Sequence, residues 1–485
     1  MRVMHIASLG ALVAAAGLAA GQTPPGPSPT NPLAPPQPMP PPAPMSTPQP
    51  PSNPSPMPPG AGLETPSAET PLPSPTPVPP PPPTQAAIPP TYPMSAAAWS
   101  AAGASTHSTP FSDLAHAYAV PTWGPRAWGN VEYLLWWTKP GPVSVPLVNT
   151  TIVPENLGTS PSTGSLNDRL ARTIFGDQTV DFGTRSGIRL FGGMWIDCCH
   201  ETGFELGMFF LPQATSSFAA TGGTSPNGTP ILTVPFNDVG PGPVVGETAA
   251  AIAGPFNGNI IVGTISERMV TNLWGANADM LFNFWKGEFW RFDGIAGWQF
   301  MDLYESLDFN TEVRTAPFGS TFDQFRTFNR FYGGDIGGRI TVHGDKLGGS
   351  LTGKVALGDN VQTLDIAGSS VMPTTFGGGA APGGLFALSS NSGRTSRGQF
   401  SVIPQVNGTV TYDVNCHVTT YIGYDFMYWS RVLRPGDQID RNINTNLAPV
   451  FGGSAAGIGA AMPTRLNRET DFWAHGVSLG VSVKW

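Results

Sequence analysis

The sequence predicts an all-β chain, a transmembrane antiparallel up-and-down β-barrel of about ten strands with a disordered, Pro-rich N-terminal arm. Three observations carry this. The last stretch, WAHGVSLGVSVKW (473–485), alternates with period 2, as a strand does when its two faces meet different surroundings. Similar stretches recur upstream, separated by connections that are alternately short and long. Only 12% of the residues are charged and 10% are aromatic, an unusual balance for a soluble enzyme of this length. Outside the amino terminus no apolar run is long enough for a transmembrane helix, so a membrane protein of this sequence must cross with strands.

Residues 1–21 read as a secretory signal. Arg2 supplies the positive start, Ile6 to Leu18 the apolar core, and Ala19-Ala20-Gly21 the small residues at the cut. No Cys lies beside that cut, which excludes a lipoprotein-type anchor, and the apolar run is too short to stay as a spanning helix. Residues 22–93 hold more than half of the 54 prolines and no Lys or Arg. Such a stretch has little to bury and few backbone donors, so it is expected to remain a disordered periplasmic linker. As a polyproline II rod it would reach roughly 200 Å at about 3.1 Å per residue. A plain spacer is the simpler role; a docking strip for aromatic-lined grooves of periplasmic or envelope proteins is the other. Residues 94–127 form a connector, and the barrel is expected to fill 128–485.

The strands follow in order. In 128–139 Val131, Tyr133, Leu135 and Trp137 share a face. In 186–197 Ile188, Leu190, Met194 and Ile196 stand against Arg189, and in 203–211 Phe204, Leu206, Met208 and Phe210 stand against Glu205. The alternation continues through Trp274–Phe284, Phe292–Phe300, Tyr332–Val342, Leu351–Leu357, Phe400–Tyr412 and Val418–Tyr428 to the terminal strand. Short connections fall at 198–202, 286–288, 343–346 and 414–416. Long ones, rich in Gly, Pro, Ser, Thr and Asn, fill roughly 140–185, 212–266, 305–325, 368–397 and 434–470. Outer-membrane barrels have short periplasmic turns and longer outer loops. With long connections after the first strand and before the last, both chain ends fall on the short-turn side, together with the arm. Ring closure removes the sheet edges that lipid would not tolerate. A secreted soluble sandwich is the alternative, but it would have to bury the aromatic faces of all ten strands.

VEYLLWW (131–137), GIRLFGGMWID (187–197), GFELGMFFL (203–211) and the terminal GVSLGVSVKW resemble the seventh beta-barrel porin family, outer-membrane proteins of planctomycete bacteria. The resemblance covers roughly 128–485 and brings no catalytic residues or cofactors. It implies a location in the cell outer membrane and a porin-like channel for small solutes or ions; a non-conducting envelope anchor that displays outer loops is the alternative. The strand face Val477, Leu479, Val481, Val483 and Trp485 resembles the C-terminal signal read by the barrel-insertion machinery. Outer-membrane lipid is the expected partner; nucleic acid is not, given the net charge of −8.

Ten strands tilted near 40° enclose a backbone cylinder about 20 Å across, much narrower than the large porins. Expected to line its lumen are Glu132, Arg189, Glu205, Asp279, Arg291, Asp293, Asp335, Arg339, Lys354, Asp425 and Lys484. Both signs are present, so these residues either pair into a plug or set the selectivity of a narrow channel. Phe209, Leu211, Trp285 and Trp429, also expected inward, favour the plug. Trp128, Trp136, Trp137, Trp290, Tyr428, Trp429, Trp473 and Trp485 lie near strand ends, as interfacial girdle residues do, although a sugar-stacking platform uses the same residue types. No enzyme is expected. His200, His343 and His417 lie at short turns and His475 in the lipid-facing register, leaving none on the outer rim facing the lumen. Cys198, Cys199 and Cys416 are candidate disulfide partners. Their turns lie far apart on the barrel, which leaves a vicinal pair or free thiols as the simpler state; a metal site is a weaker alternative still.

Overall fold

The computed structural model describes residues 126–152 and 163–485. The expected signal, the linker and nearly all of the connector lie outside the described residues. In chain order the strands are β1 (Ala127–Thr138), β2 (Gly141–Thr151), β3 (Arg172–Val180), β4 (Arg185–Trp195), β5 (Thr202–Gly222), β6 (Ile231–Asp238), β7 (Gly246–Phe256), β8 (Asn259–Ile261) and β9 (Gly263–Lys286). They continue with β10 (Trp290–Val313), β11 (Gly319–His343), β12 (Leu347–Val371), β13 (Ala380–Pro382), β14 (Gly393–Asp413), β15 (Val418–Leu433), β16 (Asn442–Ile443) and β17 (Glu469–Lys484). β1, β4, β5, β9, β10, β11, β12, β14, β15 and β17 pair in that order, all antiparallel, and β17 returns to β1. The result is a closed ring of ten strands.

The closing seam is long. β1 and β17 are matched over eleven residue pairs from Trp128–Lys484 to Thr138–Ala474. Ala127 and Trp485 then exchange backbone hydrogen bonds of 2.9 and 3.0 Å. Both ends of the barrel therefore lie at one rim, with the short turns 196–201, 287–289, 344–346 and 414–417.

The polarity of the two faces reverses along the tall strands, while the in-and-out alternation continues unbroken. Toward the short-turn rim the outward residues are apolar: Phe292, Ala296 and Trp298 on β10, and Tyr332, Ile336, Ile340 and Val342 on β11 are exposed, while Asp293, Gln299 and Asp335 are buried inside. This is the pattern of a wall in lipid, and it lasts for about the 9–11 residues that a tilted strand needs to cross the apolar layer. Further along the same strands the pattern reverses. Leu307, Phe309 and Phe325 turn inward and are fully buried, whereas Asp308, Asn310 and Arg326 face out. There the barrel is built like a soluble one, wet outside and apolar inside. The connection expected at 305–325 consequently shrinks to 314–318, because β10 and β11 run on as strands.

The described residues of the other long connections carry regular structure too. Strands β3-β2-β6-β7-β8 form a second sheet, and β16 pairs in parallel with β6. Val143, Leu147, Val234 and Phe236 from this sheet pack with Phe309, Phe325 and Ile366 from the barrel wall and with Leu385–Leu388 from the connection after β13. Asp323 secures that connection: its buried carboxylate accepts the backbone N–H groups of Leu385, Phe386 and Ala387 at 2.7–3.0 Å. The described residues of the long connections thus fold into a cap whose core is continuous with the barrel interior.

Candidate functional site: the lumen

Alternation places the inward charges on the lumen face of the membrane-crossing part, from the level of Glu132 to that of Lys484. On β1, Asn130, Glu132, Leu134 and Trp136 are buried while Val131, Tyr133 and Trp137 are exposed. Glu132 is the cross-strand neighbour of Arg189 on β4 and forms an ion pair with it. Arg189 also grips Asp425 of β15 with two bonds, 2.9 and 3.1 Å, and Asn407 donates to the same carboxylate at 2.7 Å. On the other side Arg339 of β11 reaches past two strands to Glu205 of β5, with bonds of 3.1 and 2.9 Å. Lys354 of β12 lies between Asp279 of β9, at 2.6 Å, and Asp335 of β11. Arg291 pairs with Asp293 at 2.6 Å and lies 3.8 Å from the centroid of the Trp195 ring. Nearer the rim Lys484 holds Asp413 at 3.2 Å.

Of the eleven residues expected to line the lumen, ten border a cavity of about 600 Å³. The eleventh, Asp335, is buried behind Lys354. Glu288, His343 and Asp413, beside Lys484 at the short-turn rim, also border the cavity. It is a cup entered from that rim.

Toward the long-loop rim the cup ends on an apolar layer. Leu134 and Trp136, Leu211, Leu273, Met301 and Leu303, Phe331, Ala356, Ile403, Met427, Trp429 and Val432, and Phe472 and Ala474 belong to one cluster, each no more than 3% exposed. Every barrel strand except β4 contributes. A layer of these buried apolar side chains offers a water molecule few polar partners. Just above it Arg434 and Glu305 form a fully buried ion pair with bonds of 2.6 and 2.7 Å, and Arg434 also donates to the carbonyls of Pro140 and Lys139 at 2.9 and 3.3 Å.

Phe209 packs against the layer, and Leu211 and Trp429 are part of it, but Trp285 is not. A register shift between Phe292 and Asp293 turns Trp285 outward at the strand end, where it is 58% exposed and stacks on Trp290 at 5.1 Å. Three of the expected girdle residues also differ: Trp136 and Trp429 face the lumen and are buried, and Trp128, half-buried on the same face of β1, borders the cavity. Trp137, Trp290 and Trp485 remain on the outside, as do Leu479, Val481 and Val483, with Val477 half-buried on the same face.

The structure holds no disulfide among the three candidate cysteines. All three are free and exposed, with the sulfurs of Cys198 and Cys199 3.9 Å apart. The reason is placement: the β4–β5 turn and the β14–β15 turn are separated by β1 and β17 on the shorter way round. The adjacent Cys198 thiol pushes Cys199 above its ordinary range. Among the described residues no group of three or more His, Cys, Asp and Glu is placed to hold a metal ion.

A lipid-faced ring of antiparallel strands with a charged, one-ended lumen defines the class, an outer-membrane type of β-barrel. Residues 128–485 match the family described as "Putative beta barrel porin-7 (BBP7)", and the chain belongs to that family; it is an outer-membrane β-barrel protein. Solved structures show only distant likeness. The outer membrane protease OmpT from Escherichia coli is 6% identical with a TM-score of 0.35, over 76% of this chain and 99% of that one. A FadL homologue of Pseudomonas aeruginosa is 7% identical with a TM-score of 0.19, over 75% and 90%. The toluene transporter TodX of P. putida is 9% identical with a TM-score of 0.13, over 75% and 91%. At these scores the likenesses carry no argument about activity. No curated protein matches the sequence.

Proposed function

We propose that this protein is a sealed outer-membrane barrel, an anchor that holds its folded cap on the cell surface and keeps its N-terminal arm in the periplasm. The apolar layer from Leu134 to Ala474 carries this reading, since a solute would have to cross a dry, close-packed plane. The orientation follows the general rule that short turns face the periplasm. The arm then offers a spacer or docking strip to periplasmic or envelope proteins, and the terminal strand face from Val477 to Trp485 addresses the insertion machinery. We assign it no catalysis.

The cup favours a second reading, a porin-like path that opens when the layer moves. Its mixed charges would then select the ion or small solute that enters. Conductance of the full-length protein in a planar bilayer separates the two. The anchor reading expects a silent wild type and steady current from F331A/M427A/W429A, in which the layer is thinned. Steady wild-type current whose ion selectivity shifts in R291A/R339A would overturn it in favour of the channel.

A further inference from the structure

The lipid-facing band of β11 ends at Tyr332, and the next outward residue toward the long-loop rim is Arg330. Arg330 and, from β14, Arg394 converge on one aromatic ring: their guanidinium carbons lie 5.7 and 5.4 Å from the centroid of Phe328. The nearby carboxylates do not neutralise this pair. Asp365 is the register partner of both Arg326 and Arg394, but it is held by Arg326 at 2.9 Å. Asp302 meets Arg330 only at 3.4 Å. Among the described residues no carboxylate pairs with Arg394, and its side chain is exposed. Asp359, exposed on the same face of β12 beside Tyr332, forms an ion pair with neither arginine.

We propose that Arg330 and Arg394, on either side of Phe328, form a seat for the phosphate of an outer-leaflet lipid. Arg330 donates only its Nε–H to Asp302, so the terminal N–H groups of both guanidiniums suit a phosphate, and one anion between them relieves the repulsion of two like charges gathered over one ring. The position selects a lipid over a soluble anion. Directly below the seat, Tyr332, Ile336 and Ile340 present exposed apolar side chains along which an acyl chain would lie. The choice of leaflet rests on the orientation proposed above; the phosphate chemistry does not.

The test uses full-length protein in detergent, with lipid retention read by native mass spectrometry. The probes are dioleoylphosphatidylglycerol, dioleoylphosphatidylcholine with the same chains but a neutral headgroup, and inorganic phosphate. At about fivefold per arginine near a membrane surface, the pair gives a preference for the glycerol lipid of roughly thirtyfold. R394Q, on an exposed side chain, should keep about a fifth of it, R330Q/R394Q should abolish it, and R172Q on β3 should leave it unchanged. Equal retention of the two lipids by the wild type, or an unchanged preference in the double variant, would refute the seat. Displacement of the lipid by millimolar inorganic phosphate would make it a soluble-anion site and overturn the lipid assignment.

Discussion

Replacing Arg434 by Met tests whether the barrel interior is dry above the cup. The Arg434 and Glu305 side chains are 0% and 1% exposed, joined by two bonds, and the guanidinium also serves two backbone carbonyls. R434M leaves a carboxylate and two carbonyls buried without their donor. In a water-free interior this costs about 3–5 kcal/mol, which lowers the folded-to-unfolded ratio roughly a hundred- to several-thousandfold. If water reached this level through a conducting lumen, the pair would behave as an exposed one and be worth about 0–1 kcal/mol. The double variant E305M/R434M should recover most of the loss, because two apolar side chains replace a buried pair at little cost. Guanidinium titration of protein refolded into lipid vesicles, followed by tryptophan fluorescence, gives the midpoint and slope for each variant. A single variant within about 1 kcal/mol of wild type, or a double variant no better than the single, would sink the dry-lumen reasoning.

Four further outcomes are expected. D323A strips the acceptor from three buried N–H groups, a loss of about 1–3 kcal/mol for each orphaned group; hydrogen exchange should rise at Leu385–Leu388 while the membrane-crossing strands stay protected. Partial burial alone would raise Asp168, but bonds from the Gly164 and Leu170 N–H groups, both 2.9 Å, outweigh it and hold the carboxyl below its ordinary range. Its contribution is therefore present above about pH 4 and lost as the pH falls through the lowered value, so amide protection at Gly164 and Leu170 should drop in acid and be weak at every pH in D168N. Cys198 and Cys199 are exposed at the short-turn rim; in cells a membrane-impermeant maleimide should label them only after the outer membrane is breached, and labelling of intact cells would reverse the orientation. Deleting Trp485 removes the last outward ring and its backbone bonds to Ala127, and should slow assembly into vesicles several-fold as read by heat-modifiable mobility, with unchanged kinetics counting against a role in insertion.

Much of the membrane-crossing wall was legible in the sequence because lipid imposes a simple rule, apolar outward at every second residue. That rule located ten strands and put Glu132, Arg189, Glu205 and Arg339 on the inner face. The same rule hid the rest of β10 and β11, where Leu307, Phe309 and Phe325 keep the period but point inward, so that 305–325 looked like a loop. The sealing layer left a fainter mark. LLWW at 134–137 and FFL at 209–211 are apolar on both faces, which signals burial inside as well as outside. Trp285 was misplaced by a bulge, which shifts the register without changing composition. The second sheet was out of reach of local pattern, since its strands are short, interrupted by Gly and Pro, and stabilised by partners far away in the chain.

The seam between β1 and β17 bears on how an anchor of the kind proposed would fail under load. A pull arriving through the chain ahead of Ala127 enters β1 at its rim end and runs along the strand, nearly at right angles to the hydrogen bonds that join β1 to β17 and β4. All the pairs of the seam are then strained at once, in shear, instead of parting one by one as a peeled hairpin does. Rupture would demand the joint failure of both ladders flanking β1, so a wall between cell surface and periplasm could be tugged through this strand without unzipping the barrel that holds it.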